Sequence, residues 1–150
     1  MKSGEINSLF KNLSRVIKNP KSDLKYKNKF TLLVSVVLSA QCTDVNVNNV
    51  TKNIYPKYNK PEHFVKLGRK KIEKLIKSIG LFRNKAKSVY LLSKQLIEKH
   101  NGKVPKNFED LYALFGVGRK TANVVLNEGF GLPTIAVDTH IFRVSNRTGL

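Results

Sequence analysis

Apolar residues recur at intervals of three and four along most of the chain, a spacing that predicts helices rather than strands. Ile6, Leu9, Phe10, Leu13, Val16 and Ile17 fall on one face of an N-terminal helix, which Asn19-Pro20 stops. Phe30 to Gln41 is the most apolar stretch and predicts a central buried helix. Its valines also suit a strand, but no neighbouring segment offers a sheet partner. Thr43 or Asp44 can cap the next helix, which runs toward Tyr55-Pro56. Pro61 starts a short helix, and Lys70 to Ser78 gives another with Ile72, Leu75, Ile76 and Ile79 inward.

Further on, Lys85 to His100 carries Ala86, Val89, Leu92, Leu96 and Ile97 on one side, and Asn101-Gly102 ends it. Phe108 to Leu114, Arg119 to Glu128 and Asp138 to Arg147 predict three more helices. Short helices with short connections predict an all-α fold, an orthogonal helical bundle forming a single domain over residues 1–150. There is one weak internal echo. Gly80-Leu81-Phe82-Arg83-Asn84-Lys85-Ala86 aligns with Gly116-Val117-Gly118-Arg119-Lys120-Thr121-Ala122. Either two helix corners simply look alike, or two related hairpins share one ligand-facing surface.

Charge narrows the function classes. Lysine and arginine total 28 against 10 acidic residues, a formal net charge of +18. A folded domain this basic meets a polyanion. Nucleic acid leads, because neutralised phosphates release counterions and drive binding without a sequence code. A membrane-surface protein and a ribosome-associated protein are the rivals that charge alone leaves standing. No stretch approaches the ~20 apolar residues that span a bilayer, and no signal-peptide core is present. The single cysteine, Cys42, excludes an internal disulfide and any four-cysteine metal or cluster site within these residues. His63 and His100 show no metal-ligand spacing, and no metal is expected. A cytoplasmic, nucleoid-associated location is the default expectation.

The segment that carries chemistry is Leu114-Phe115-Gly116-Val117-Gly118-Arg119-Lys120-Thr121-Ala122. Two glycines two apart allow a tight turn and close approach to a ligand. The following helix points its free N–H groups and positive dipole end at that ligand, as a phosphate requires. A Walker loop fails here, because Arg119 intervenes and the spacing is wrong. A dinucleotide fingerprint fails too, with Thr121 in place of the third glycine and no preceding strand. A helix-hairpin-helix that grips DNA backbone fits best. Lys120 lies in the first turn of its second helix. It is either one more solvated lysine or a nucleophile, since a positive helix end and Arg119 both ease loss of its proton. Asp138 begins a helix after an apolar run and suits an N-cap, a role compatible with chemistry because a capping carboxylate is held rigidly.

Three blocks together resemble the endonuclease III family of helix-hairpin-helix DNA glycosylases and AP lyases. They are Leu38-Ser39-Ala40-Gln41-Cys42-Thr43-Asp44, then Gly116 through Asn127, then Pro133-Thr134-Ile135-Ala136-Val137-Asp138-Thr139-His140-Ile141-Phe142-Arg143-Val144. The similarity runs from about Phe30 to the last residue. The resemblance implies a six-helix core over about 28–132, with 1–20 and 133–150 as parts of an incomplete second domain. It implies a monomer acting on double-stranded DNA that carries damaged pyrimidines or abasic sites, with no membrane partner.

The implied reaction flips the damaged nucleotide into a pocket. Lys120 matches the family's catalytic lysine, which attacks C1′, expels the base and forms a Schiff base; β-elimination then nicks the strand on the 3′ side. Asp138 matches the catalytic aspartate that stabilises positive charge on the sugar. Gln41 matches the residue that fills the hole left by the flipped nucleotide, and Leu81 the apolar wedge. Gly116, Val117, Gly118 and Arg119 are the implied DNA-gripping hairpin. Ser39, Asp44 and His140 are implied to line the pocket. Gln41 can also be read as an ordinary helix-end amide, Leu81 as a core leucine and Asp44 as a cap.

Members of the family usually carry a [4Fe–4S] cluster on four cysteines in a further C-terminal region. Those cysteines are absent here, so no cofactor is expected in this chain, which reads as truncated before the cluster region. Without that region the apolar face of Leu9, Phe10, Leu13 and Val16 is expected to lack partners. Two other functions remain on sequence grounds. One is a mismatch glycosylase of the same superfamily, against which Lys120 argues. The other is a non-catalytic DNA-binding remnant.

Overall fold

The computed structural model describes residues 1–150 and is built from helices without a single strand. The chain divides into two compact units. One comprises Met1–Ser22 with Val137–Leu150, and the other Asp23–Ala136.

The larger unit is organised around α2 (Lys29–Ser39). Asn28 caps it by accepting from the Thr31 amide at 2.8 Å, while Thr31 Oγ1 accepts from the Asn28 amide at 2.9 Å. Nine consecutive residues, Phe30 to Leu38, are buried, so α2 has no solvent face. Burying a helix on all sides requires its polar side chains to find partners. Ser35 Oγ lies 2.5 Å from Tyr55 Oη, and the Tyr55 hydroxyl donates to the Thr31 carbonyl at 3.0 Å. Burial raises the Tyr55 phenol well above its ordinary value, so it stays a neutral donor. The strand alternative for this stretch is therefore not taken.

Around α2 stand α3 (Asp44–Thr51), α4 (Pro61–Leu67), α5 (Arg69–Leu75) and α6 (Phe82–His100). Thr43, not Asp44, caps α3, accepting from the Asn46 amide at 3.2 Å. Gly68, at φ +78°, ends α4 and begins α5. Helix α5 is shorter than the spacing predicts, and Ile76 forms its C-cap. Ile72, Ile76 and Ile79 are buried, as the spacing predicts, whereas Leu75 is exposed. Helix α6 buries Ala86, Val89, Leu92, Ser93 and Leu96 against α2, α4 and α5. It ends where Asn101 and Gly102 both turn left-handed.

Next come α7 (Phe108–Tyr112) and α8 (Arg119–Val124), which continues as a π-helical turn over Val125–Gly129. The predicted helix over this stretch, Arg119 to Glu128, is thus regular only as far as Val124. The widened turn sits where Gly129 closes on α2; a Cβ at Gly129 would lie 3.1 Å from Leu32 Cδ2. The α7–α8 corner is seated on α6. The Gln95 side chain accepts from the Phe115 amide at 2.7 Å and donates to the Ala113 carbonyl at 3.4 Å.

The smaller unit contains α1 (Ser3–Val16) and α9 (Thr139–Thr148), and neither helix buries a residue. Glu5 accepts from the Lys2 amide at 2.7 Å at the start of α1. The Met1 ammonium donates to the Gly149 carbonyl at 2.5 Å. Phe10, Leu13 and Val16 of α1, and Ile141, Phe142 and Val144 of α9, are exposed.

Gly116 carries the seating of the α7–α8 corner. Its φ is +76°, and a Cβ there would lie 2.5 Å from both Cβ and Oγ of Ser88 on α6. Strain and collision act together, so Gly116→Ala should destabilise the fold by about 1–3 kcal/mol. Urea denaturation measures this; a midpoint equal to that of the parent chain would contradict the packing described.

Candidate active site

The corner between α7 and α8 is a true hairpin. The Val117 amide donates to the Leu114 carbonyl at 3.1 Å, and Gly118, extended at φ −89° and ψ 178°, is the N-cap of α8. Gly118 offers no side chain to that helix end, and its missing Cβ leaves nothing within 4 Å. The two glycines therefore do different work. Gly116 lets the hairpin press on α6, and Gly118 keeps the helix start unobstructed for an anionic group. Val117 is only 6% exposed, so its side chain belongs to the core and only its backbone is available to a ligand. The Arg119 guanidinium stands 5.7 Å from the Phe108 ring centroid, and the Lys87 ammonium 5.4 Å from that of Phe115. Both cations are thereby held at the hairpin. Lys120 is the second residue of α8 and is exposed.

Two further loops of the same unit are marked by their backbone. Three non-glycine residues have positive φ: Gln41 at 54°, Leu81 at 60° and Asn101 at 52°. Asn101 merely closes a helix, a common use of asparagine. For glutamine and leucine the left-handed region costs about 1–2 kcal/mol per residue. Both are exposed, Leu81 to 57%. Leu81 is thus not a core leucine. Strain at exposed loop tips marks positions kept for something other than stability.

Gln41 lies in the α2–α3 turn, closed by the Cys42 amide donating to the Ser39 carbonyl at 3.0 Å. Leu81 is the N-cap of α6. Asn46 ties the two loops, with Nδ2 3.3 Å from Cys42 Sγ and 3.5 Å from the Ser78 carbonyl. The internal echo does not extend to conformation. The left-handed residue is Leu81 in one corner and Gly116 in the other, and Leu81 is exposed whereas its counterpart Val117 is buried.

Of the remaining sequence candidates, Ser39 is half-buried and donates its hydroxyl to the Val36 carbonyl at 2.8 Å. Asp44 opens α3 as the acid of its first turn. Asp138 is the N-cap of α9, its carboxylate accepting from the Ile141 amide at 2.8 Å. His140 is exposed on the same helix, with Nδ1 3.3 Å from the Arg143 guanidinium. Lys120 lies in the larger unit, Asp138 and His140 in the smaller.

Sequence reasoning passed over Asn46, Ser88 and Lys85. For Lys85 a signal existed. It lies four, seven and eleven residues before Val89, Leu92 and Leu96, on the apolar stripe of α6, where a lysine is out of place.

A [4Fe–4S] cluster is held by four cysteine thiolates. This chain has Cys42 alone, and no three histidine, cysteine or acidic side chains gather to hold a metal. Its residues do not fit a cluster, and no step runs through one.

The profile of the HhH-GPD superfamily, base excision DNA repair proteins, matches residues 34–150. Endonuclease III of Rickettsia conorii is 53% identical over all 150 residues, which span 71% of that protein. Endonuclease III of Escherichia coli K12 is 52% identical over 130 residues, or 87% of this chain and 62% of that one. Among solved structures, a trapped endonuclease III–DNA covalent intermediate superposes with a TM-score of 0.93 at 45% identity. The match covers 99% of this chain and 70% of the other. A thermostable thymine-DNA glycosylase superposes with 0.79 at 27% identity, covering 86% of this chain and 61% of that one. With about half of the aligned residues identical to those of endonuclease III sequences and the hairpin in place, the chain belongs to the endonuclease III family of the HhH-GPD base excision DNA repair superfamily.

Proposed function

We propose that this chain removes oxidised pyrimidines from double-stranded DNA and cleaves the resulting abasic site by β-elimination, with Lys120 as nucleophile. The observation that carries the reading is an exposed lysine in the first turn of α8, directly after a glycine that caps the helix without a side chain. A strand seated there by its phosphates brings a sugar to the amine.

In this reading Gln41 and Leu81 enter the duplex from their left-handed turns and hold it open while a nucleotide is flipped. The Lys120 amine, unprotonated at the moment of attack, forms a bond to C1′. The C1′–N bond to the base breaks, and the base leaves with its electron pair and takes up a proton. Ring opening gives an iminium between Lys120 and C1′. Loss of a proton from C2′ then expels the 3′ phosphate, and water releases the lysine. Asp138 supplies negative charge to the cationic sugar, its carboxylate held rigid by the α9 amide. The family resemblance further assigns Ser39, Asp44 and His140 to binding the flipped nucleotide, and Arg119 with the Gly116–Gly118 backbone to phosphate contacts. The remnant reading has no such specific support.

Three measurements test this. Duplex affinity should fall by about two to three decades between 50 and 200 mM salt if roughly five phosphates are neutralised; a flat profile refutes nucleic-acid binding. Borohydride reduction on a duplex with one abasic site should yield a covalent complex that Lys120→Ala abolishes while binding persists. Trapping undiminished in that variant means that another amine reacts. Asp138→Asn keeps a good N-cap, so thermal stability should change by under about 0.5 kcal/mol, while turnover drops by on the order of 100-fold. Equal losses of stability and activity would reduce Asp138 to a structural cap.

A further inference from the structure

Lys85 breaks three rules at once. It is 6% exposed, and its ammonium nitrogen is the buried side-chain polar atom without a hydrogen-bond partner. It stands in the first turn of α6, a helix end whose dipole disfavours a cation, with Arg83 nearby and no acid in that turn. That turn is itself poorly made, because the N-cap is a left-handed leucine that makes no side-chain hydrogen bond. Desolvation lowers the Lys85 ammonium from its ordinary range, opposed in part by Cys42. Each feature costs stability, and a well-packed methionine would suit the stripe of Val89, Leu92 and Leu96 better. Rule-breaking of this kind gathers where function, not folding, sets the residue.

Its location suggests the function. The Lys85 amide donates to the Leu81 carbonyl at 3.0 Å, one helical turn from the exposed leucine. Cys42, adjacent to Gln41, partly offsets the effect of desolvation on the Lys85 ammonium. Asn46 links the same two turns through Cys42 Sγ and the Ser78 carbonyl. Lys85 thus stands one helical turn from Leu81, beside the two strained loops that Asn46 links.

We propose that Lys85 is a positioning residue for damaged-site recognition. Its buried ammonium takes acceptors among the backbone carbonyls of the Gln41 and Leu81 turns as these close on an opened duplex, fixing both inserting residues together. The inference rests on the proposed DNA reading. It adds that lesion discrimination is supported by a cation that never touches DNA.

The test compares wild type, Lys85→Met and Lys85→Arg in thermal melts and in binding to two labelled duplexes. One duplex carries a single tetrahydrofuran abasic analogue and the other is undamaged. Lys85→Met should melt no lower than wild type, yet bind the abasic duplex on the order of tenfold more weakly, with affinity for undamaged duplex unchanged. Lys85→Arg should restore abasic binding. Overturning results are a methionine variant that melts lower or fails to fold, one that binds the abasic duplex like wild type, one that loses both duplexes equally, or an arginine variant that does not rescue. If wild type binds neither duplex, the DNA reading itself falls and this inference with it. If wild type binds and only the Lys85 pattern is missing, the inference alone falls.

Discussion

A helix buried on every side has no surface to offer a ligand; its contribution is to fix where its ends emerge. Helix α2 is such an element, with Phe30 to Leu38 in continuous contact with protein. Its neighbours include α3, α6, α8 and the π-helical turn. The Gln41 turn leaves from its C-terminal end, α6 lies across it with Leu81 at the head, and α8 with Lys120 packs on it. Three loops from distant parts of the chain are thus referenced to one rigid axis. Inside that axis the Ser35 hydroxyl pairs with Tyr55 and the Thr31 hydroxyl with the Lys27 and Asn28 backbone, so the burial leaves neither side chain orphaned.

On this frame the unit departs from local preference at a few positions. Gln41 and Leu81 hold left-handed backbones that glycine would adopt more easily. Helix α6 begins with cations and without a side-chain cap. Only a well-packed surround sustains such features, and the buried stripe of α6 supplies it. The hairpin is different in kind. Its glycine at Gly116 is required by packing on Ser88, while Gly118 leaves the start of α8 open. The high positive charge makes long-range attraction to phosphate general, while these few loops give it a direction.

The smaller unit follows other rules. Its two helices bury nothing completely and present aromatic and aliphatic side chains to solvent. Within it Asp138 is still firmly held, because an N-cap carboxylate depends on its own helix rather than on a core. The capping role and the proposed chemical one are therefore compatible.

Much was legible in the sequence. Helical spacing, punctuation by Pro61 and Asn101-Gly102, and the capping chemistry of Asp138 are local properties, written in nearest neighbours along the chain. The glycine–lysine hairpin was legible for the same reason. Tertiary structure decided the rest. That Val117 points into the core and Leu81 out of it, although the two align in the internal echo, depends on which helix each corner packs against. That Leu75 is exposed while Ile72 and Ile76 are buried, and that a π-helical turn brings Gly129 against Leu32, depend on neighbours distant in the sequence. Lys85 falls on the apolar stripe of α6 in the sequence, but its burial is a property of the neighbours that fold around it and not of the residue itself.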